Sequence, residues 1–114
     1  MNIINNIAIV DTSPAPVNSA AEVLQIVVDA QAAGAQKAIF SAEIFAPRFF
    51  DLRSGLAGEI MQKFVNYGLT AAIVGDFSRY TGRAWQDLIR ESNKGQQLFF
   101  AATQEEALKK LASR

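Results

Sequence analysis

The sequence predicts a single small α/β domain, with a mostly parallel or mixed four- to five-stranded sheet and helices packed on it. Two observations carry this. Short apolar runs (IAIV, KAIF, LTAAIVG, QLFF) alternate with longer stretches of helical periodicity, and such alternation implies crossovers of one hand and a largely parallel sheet. Half of the 114 residues are hydrophobic, and a chain of this length buries roughly two thirds of its unfolded surface around one core. No linker, repeat or shift in composition divides it.

The opening, IINNIAIVD, holds two apolar runs around Asn5-Asn6. Asparagine tolerates positive φ, so Ile3-Ile4 can pair with Ile7–Val10 in a tight hairpin; a single strand over Ile7–Val10 is the simpler alternative. TSPAPVN is a loop, because each proline removes a donor and pushes its predecessor toward extended geometry. Ser19-Ala20-Ala21-Glu22 is a capping box, with the Ser19 hydroxyl on the Glu22 amide and the Glu22 carboxylate reaching back to Ser19. It opens a helix in which Ala20, Val23, Leu24, Val27 and Val28 share a face, and Gly34 is the natural stop. KAIFS reads as a short buried strand. Four of the eight Phe (Phe40, Phe45, Phe49, Phe50) then lie close together, and Pro47 keeps their segment from being one helix or a central strand.

The stretch FFDLRSGLAGEIMQKFVN organises the chain as the end of an extended segment, a polar turn at 51–54 and an amphipathic helix. Leu52, Leu56, Ile60 and Phe64 recur every four residues, with Ala57, Met61 and Val65 alongside. Gly55 and Gly58 each cost ~1 kcal/mol relative to alanine in a helix interior. Two glycines so close point either to tight packing on the sheet or to close approach of another backbone or a ligand. Tyr67-Gly68 closes this helix, and LTAAIVG is apolar enough for a strand covered on both faces. Thr81 or Ser78 can cap a third helix, with Ala84, Trp85, Leu88, Ile89 and Ser92 on one face and Gly95 at its end. QLFFAA is the last strand. Thr103-Gln104-Glu105-Glu106 repeats the capping box and opens a terminal helix with Ala107, Leu108, Leu111 and Ala112 inward. Lys109, Lys110 and Arg114 suit the dipole at its end.

Composition excludes much chemistry. There is no Cys and no His, hence no disulfide, thiol nucleophile, imidazole base or zinc site of the usual kind. Eleven Lys+Arg balance eleven Asp+Glu with no basic cluster, which argues against nucleic acid and against a membrane surface held by a polybasic patch. No apolar run is long enough to span a bilayer. The opening residues lack the pattern of a secretion signal, so a cytoplasmic location is expected.

Ligands in open α/β sheets bind outside the carboxyl ends of strands. Those ends are Asp11-Thr12-Ser13, residues 41–43, the GDFSRY stretch at 75–80, and Ala102-Thr103. The 51–54 turn opens the second helix, where free amides suit an anion. The candidate ligand- or partner-binding residues are therefore Asp51, Arg53, Ser54, Gly55, Gly58, Asp76, Ser78, Arg79 and Tyr80. A cleft of Asp11, Asp51, Asp76, Ser78 and Arg79 competes with the plainer reading that Asp and Ser at such turns are caps. Tyr80 and Trp85 either anchor a partner or fill the core. No glycine-rich phosphate loop is present, and no spacing sets two carboxylates at catalytic separation. No catalytic residue, metal site or cofactor is expected.

At FFDLRSGLAGEIMQKFVNY, AAIVGDFSRYT and LIRESNKG the chain resembles the bacterial domain-of-unknown-function (DUF) family 4180, over essentially its whole length and most densely across 49–100. That resemblance implies no particular substrate, cofactor or partner, and the opening here is shorter and more apolar than the family pattern. More distantly, Ser54-Gly55-Leu56 and Glu105-Glu106-Ala107-Leu108 are similar to STAS-like domains, the fold of anti-sigma-factor antagonists. That resemblance implies a STAS-like fold and a switch by phosphorylation of the first Ser in Asp-Ser-Ser-Gly-Leu. Arg53 stands at that position, so the switch does not carry over, and Ser54 remains only as the adjacent hydroxyl.

The expected function is a non-enzymatic STAS-like protein-interaction or regulatory module. Its protein partner would dock near the start of the 51–66 helix and the 76–81 loop, through shape and aromatic contacts. The alternative is a small-ligand domain holding an anion or nucleotide at the 51–54 turn and at 75–78. A homodimer is a further expectation, because an edge strand needs protection.

Overall fold

Asn5 and Asn6 decide how the chain begins. In the computed structural model, which describes residues 2–112, both have positive φ, 52° and 67°, as a two-residue hairpin turn of the primed kind requires. Strand β1 (Asn2–Ile4) therefore folds back antiparallel on β2 (Ile7–Val10), with Ile4 opposite Ile7. Of the two readings of the opening, the hairpin is the one found. Strands β3 (Lys37–Ser41), β4 (Thr70–Val74) and β5 (Leu98–Ala101) then add in sequence order, each parallel to the last. The result is a five-stranded mixed sheet with four helices: α1 (Ala20–Ala32), α2 (Leu56–Asn66), α3 (Arg83–Lys94) and α4 (Gln104–Ala112).

Because the strands advance in one direction, crossovers of one hand must place their helices on one face. The period-two alternation of the strands agrees. Val10, Phe40, Ile73 and Phe100 share a core with residues of α1, α2 and α3, whereas Ile9, Ile39, Ala72 and Phe99 meet Ala107 and Leu111 of α4 on the other side. The strand order never reverses, so no interior switch point opens a crevice between strands. A cleft at the strand ends must therefore come from the loops over them.

Local expectations fare unevenly. Ser19 Oγ accepts from the Glu22 amide at 3.2 Å and Thr103 Oγ1 from the Glu106 amide at 3.1 Å. In both boxes, however, the glutamate reaches one residue further back than predicted, to the amides of Asn18 and Ala102. Gly82, not Thr81 or Ser78, is the N-cap of α3, with no side-chain bond. Val28 is 43% exposed rather than inward. The expected extended segment before residue 51 instead holds two 3₁₀ turns, Ala42–Ile44 and Pro47–Phe50, and the turn expected at 51–54 is a third, Leu52–Ser54. Arg114 lies outside the described residues. No described helix is long and apolar enough to cross a membrane.

Candidate functional site: a groove across the ends of β3 and β4

The chain leaves β3 at Ser41, whose Oγ accepts from the Glu43 amide at 3.3 Å and starts the first 3₁₀ turn. It leaves β4 through Gly75. A Cβ at Gly75 would stand 2.6 Å from the Cβ of Ala42, so the loop after β3 lies hard against the end of β4, and glycine is what permits it. Beside this contact opens a groove of about 410 Å³, whose walls include Phe45, Phe50, Phe77 and Tyr80 and whose polar lining is Ser41, Glu43, Asp76 and Arg79.

Aromatic packing holds the walls. Phe50 and Tyr80 stack at 5.2 Å with planes 6° apart, joining the 47–54 segment to the 76–80 turn. Trp85 of α3 lies behind them, 5.4 Å from Tyr80 and 6.1 Å from Phe77. Its indole Nε1 donates to the Phe50 carbonyl at 2.8 Å, which gives the buried ring a partner for its one polar atom. Gln86 Nε2 donates to the Tyr80 carbonyl, also at 2.8 Å, so α3 fixes both ends of the stacked pair.

Asp76 caps the 3₁₀ turn Phe77–Arg79. Its Oδ1 accepts from the Ser78 hydroxyl at 2.5 Å and the Ser78 amide at 3.1 Å. These bonds, led by the hydroxyl and helped by the Arg79 charge, hold its carboxyl below the ordinary aspartate value. Asp76 is therefore an anion with Oδ1 occupied and Oδ2 free of protein hydrogen bonds among the described residues. No group of three or more His, Cys, Asp or Glu among the described residues is placed to hold a metal.

The model of one family, Domain of unknown function (DUF4180), matches residues 4–111. The chain belongs to this family. No curated protein and no solved structure matches it. The similarity to STAS-like domains therefore rests on the short stretches at 54–56 and 105–108.

In this DUF4180 domain three of the nine candidate residues, Asp76, Arg79 and Tyr80, line the groove, and Ser78 braces Asp76. The other five do not line it. Asp51 Oδ1 accepts from the amide and Nε of Arg53 at 3.1 and 3.3 Å. That pair is an exposed one, with Arg53 94% accessible, and such pairs contribute little. Ser54 Oγ donates to the Arg48 carbonyl at 2.7 Å and accepts from the Leu56 amide at 3.2 Å, so its hydroxyl serves the start of α2. Gly55 is not inside a helix; it is the N-cap of α2, left-handed at φ 81°. Gly58 is inside α2 but exposed, with nothing within 4 Å of an added Cβ. Among the described residues neither glycine has a neighbour packed where a Cβ would stand, and the close approach sits at Gly75. Sequence reasoning underrates Phe50 and Phe77. The strand-end rule already points to 41–43 and 75–80; what it lacks is the fold-back that brings Phe50 across to Tyr80.

Proposed function

We propose that this domain binds rather than catalyses, and that its working site is the groove across the ends of β3 and β4. The guest that suits it is a small organic molecule with a flat apolar body and a positively charged group. One observation carries the reading: aromatic walls and carboxylates converge in a groove of ligand size, while the amides beside them are already taken. Pockets for small molecules occupy ~300–1,000 Å³ and set a few polar groups in a mostly apolar wall. Here two carboxylates, Glu43 and Asp76, outnumber the one guanidinium, Arg79. Ring faces add to the attraction for a cation.

The same geometry weakens the case for an anion or nucleotide. A phosphate at these turns needs free amides, but those of Ser78, Arg53 and Glu43 already donate to Asp76, Asp51 and Ser41. It would also meet the two aspartates that cap those turns. Thermal-shift screening tests the proposal: a cationic aromatic amine at 100-fold excess over its Kd should add about 2.7 kcal/mol of stability. Phosphates and carboxylates should add none, and Tyr80→Ala should remove the effect. A library in which anions shift the protein and cations do not would sink it.

The half-exposed Phe50–Tyr80 pair favours a second reading, a protein-interaction or regulatory module. There the charged group is a lysine or arginine of a protein partner entering the same groove. Capture of a partner by the wild type but not by Tyr80→Ala, with no response to free amines, would select it. A cytoplasmic location belongs to both readings, and cell fractionation reads it.

A further inference from the structure

The outward faces of the helices differ in kind. On α3, Arg83, Asp87, Arg90, Glu91 and Lys94 pair with one another along the surface, as a solvated face does. The helices α1 and α2 pack side by side, and Gln31 Nε2 of α1 donates to the Tyr67 carbonyl at the end of α2 at 3.0 Å. Their outward stripes, Ala21, Leu24 and Val28 on one and Gly58, Gln62 and Val65 on the other, carry no charge. Val28, Val65 and Tyr67 are 43%, 53% and 44% exposed, three of the four large hydrophobic side chains so exposed among the described residues. A shallow, mostly apolar groove of about 390 Å³ lies between the two helices, with Leu24 on one wall and Glu59 and Lys63 on the other.

Gly58 belongs to the same stripe. A glycine inside a helix costs ~1 kcal/mol against alanine, and among the described residues nothing beyond its own helix lies within 4 Å of where its Cβ would be. The chain's own packing thus gives no reason for glycine there. Close approach of another backbone from outside does.

We infer that a second copy of this chain docks on the α1/α2 face, with α2 crossing its mate over Gly58 and Val65. Charge selects a second copy over an unrelated partner. Glu59 and Lys63 flank the uncharged stripe one turn apart, and neither forms an ion pair or side-chain hydrogen bond among the described residues. A two-fold axis crossing α2 sets the helices antiparallel, which brings Glu59 of each copy toward Lys63 of the other. Residue i then meets j while j meets i, as isologous contacts require. The sheet edges are less suited. At β5 the Asn93 amide already brackets Phe100, its Oδ1 accepting from the Phe100 amide at 2.8 Å and its Nδ2 donating to the carbonyl at 3.3 Å. At the other edge β1 offers three residues. This inference is independent of the strand-end groove.

Light scattering after size exclusion, from low micromolar to submillimolar protein, tests it. Wild type should double in mass as concentration rises. Glu59→Lys and Lys63→Glu should each stay monomeric alone and form a mixed dimer when combined, which an indirect loss of folding would not reproduce. Gly58→Ala should melt no lower than wild type yet associate about tenfold more weakly. Circular dichroism confirms that each variant is folded. A protein that stays monomeric at every concentration overturns the proposal. So does a dimer that ignores these changes and is broken by Ile4→Lys on β1.

Discussion

Asp51 and Asp76 open nearly the same turn. Their backbones stand at φ/ψ −96°/101° and −89°/97°, each Oδ1 accepts the amide two residues on at 3.1 Å, and each turn is a three-residue 3₁₀ helix containing an arginine. The residues after each aspartate separate them. After Asp51 come Leu52, facing the core, and Arg53, which folds back on the same carboxylate. Ser54 then turns the chain into α2. After Asp76 come Phe77 and, three residues on, Tyr80, both in the aromatic wall of the groove. One turn satisfies its own polar groups and starts a helix; the other carries its carboxylate and rings to a cavity. A polar turn motif by itself therefore does not tell the two surroundings apart. The apolar surface it is set against does.

The sharpest way to break this comparison is to remove what both turns lean on. Trp85 is 7% exposed, touches Phe49 and Phe50 on one side and Phe77 and Tyr80 on the other, and donates to the Phe50 carbonyl. Trp85→Ala should cost ~3–5 kcal/mol, as buried aromatic truncations do, read by chemical denaturation. Equal loss of protection at Ser54 and Ser78 amides in hydrogen exchange would show both turns hanging from one ring. Gly75→Ala is a narrower probe. Its new methyl meets the Ala42 Cβ at 2.6 Å, backbone-mounted atoms that cannot swing aside, so overpacking of ~1–3 kcal/mol is expected. The damage should fall on the groove side, leaving the Asp51 turn and α2 protected. An unchanged melting curve would show that the loop over β4 yields freely.

Much of the fold is legible in the sequence, and the failures have a common cause. Alternating runs mark β2 to β5 because a strand covered on both faces has its pattern in its own residues. Asn5-Asn6 leaves two readings open, and the positive φ of both residues decides for the hairpin. Periodicity misplaces the start of α2 because Leu52 sits four residues before Leu56 and fits the helical period, although it belongs to a 3₁₀ turn, with left-handed Gly55 between. The 42–54 segment has no period, being held by rings from elsewhere: Phe49 stacks on Phe45 at 4.3 Å, and Phe50 on Tyr80. For the candidate groove, the strand-end rule points to 75–80, whose residues 76, 79 and 80 line it, whereas 51–58 enters on a polar turn that resembles the Asp76 turn locally and lies outside the groove. Phe77 and Tyr80 after Asp76 separate them locally, but the tertiary position of Phe50 against Tyr80 is encoded by no local pattern.

The two serines sharpen the comparison at smaller scale. The Ser54 hydroxyl bridges the Arg48 carbonyl and the Leu56 amide at the head of α2. Ser54→Ala removes a cap-like interaction and should cost ~0.5–2 kcal/mol. Ser78 is exposed and bonds only within its own turn, so Ser78→Ala should stay within about 0.5 kcal/mol of wild type. Reversed magnitudes would mean that the Asp76 turn, not the Asp51 turn, supports the fold.

The smallest effect is the most diagnostic of the groove. The Ser78 hydroxyl, then its amide, lower the Asp76 carboxyl below its ordinary value. A carboxylate lowered on folding stabilises the native state above its unfolded pKa of about 3.9, and that contribution is lost as pH falls through the lower folded value. The Asp76 carboxylate is open to solvent, so global stability should barely register it. The Asp76 carboxyl carbon, followed by NMR, should titrate below the ordinary aspartate range, and Ser78→Ala should move its midpoint upward because the leading cause is gone. The proposed cationic guest should displace the midpoint in the other direction, since it stabilises the charged form. Binding should accordingly weaken at acid pH, as Asp76 protonates. A guest that raised the midpoint would be an anion beside this carboxylate, and the reading of the groove as a cation site would fall with it.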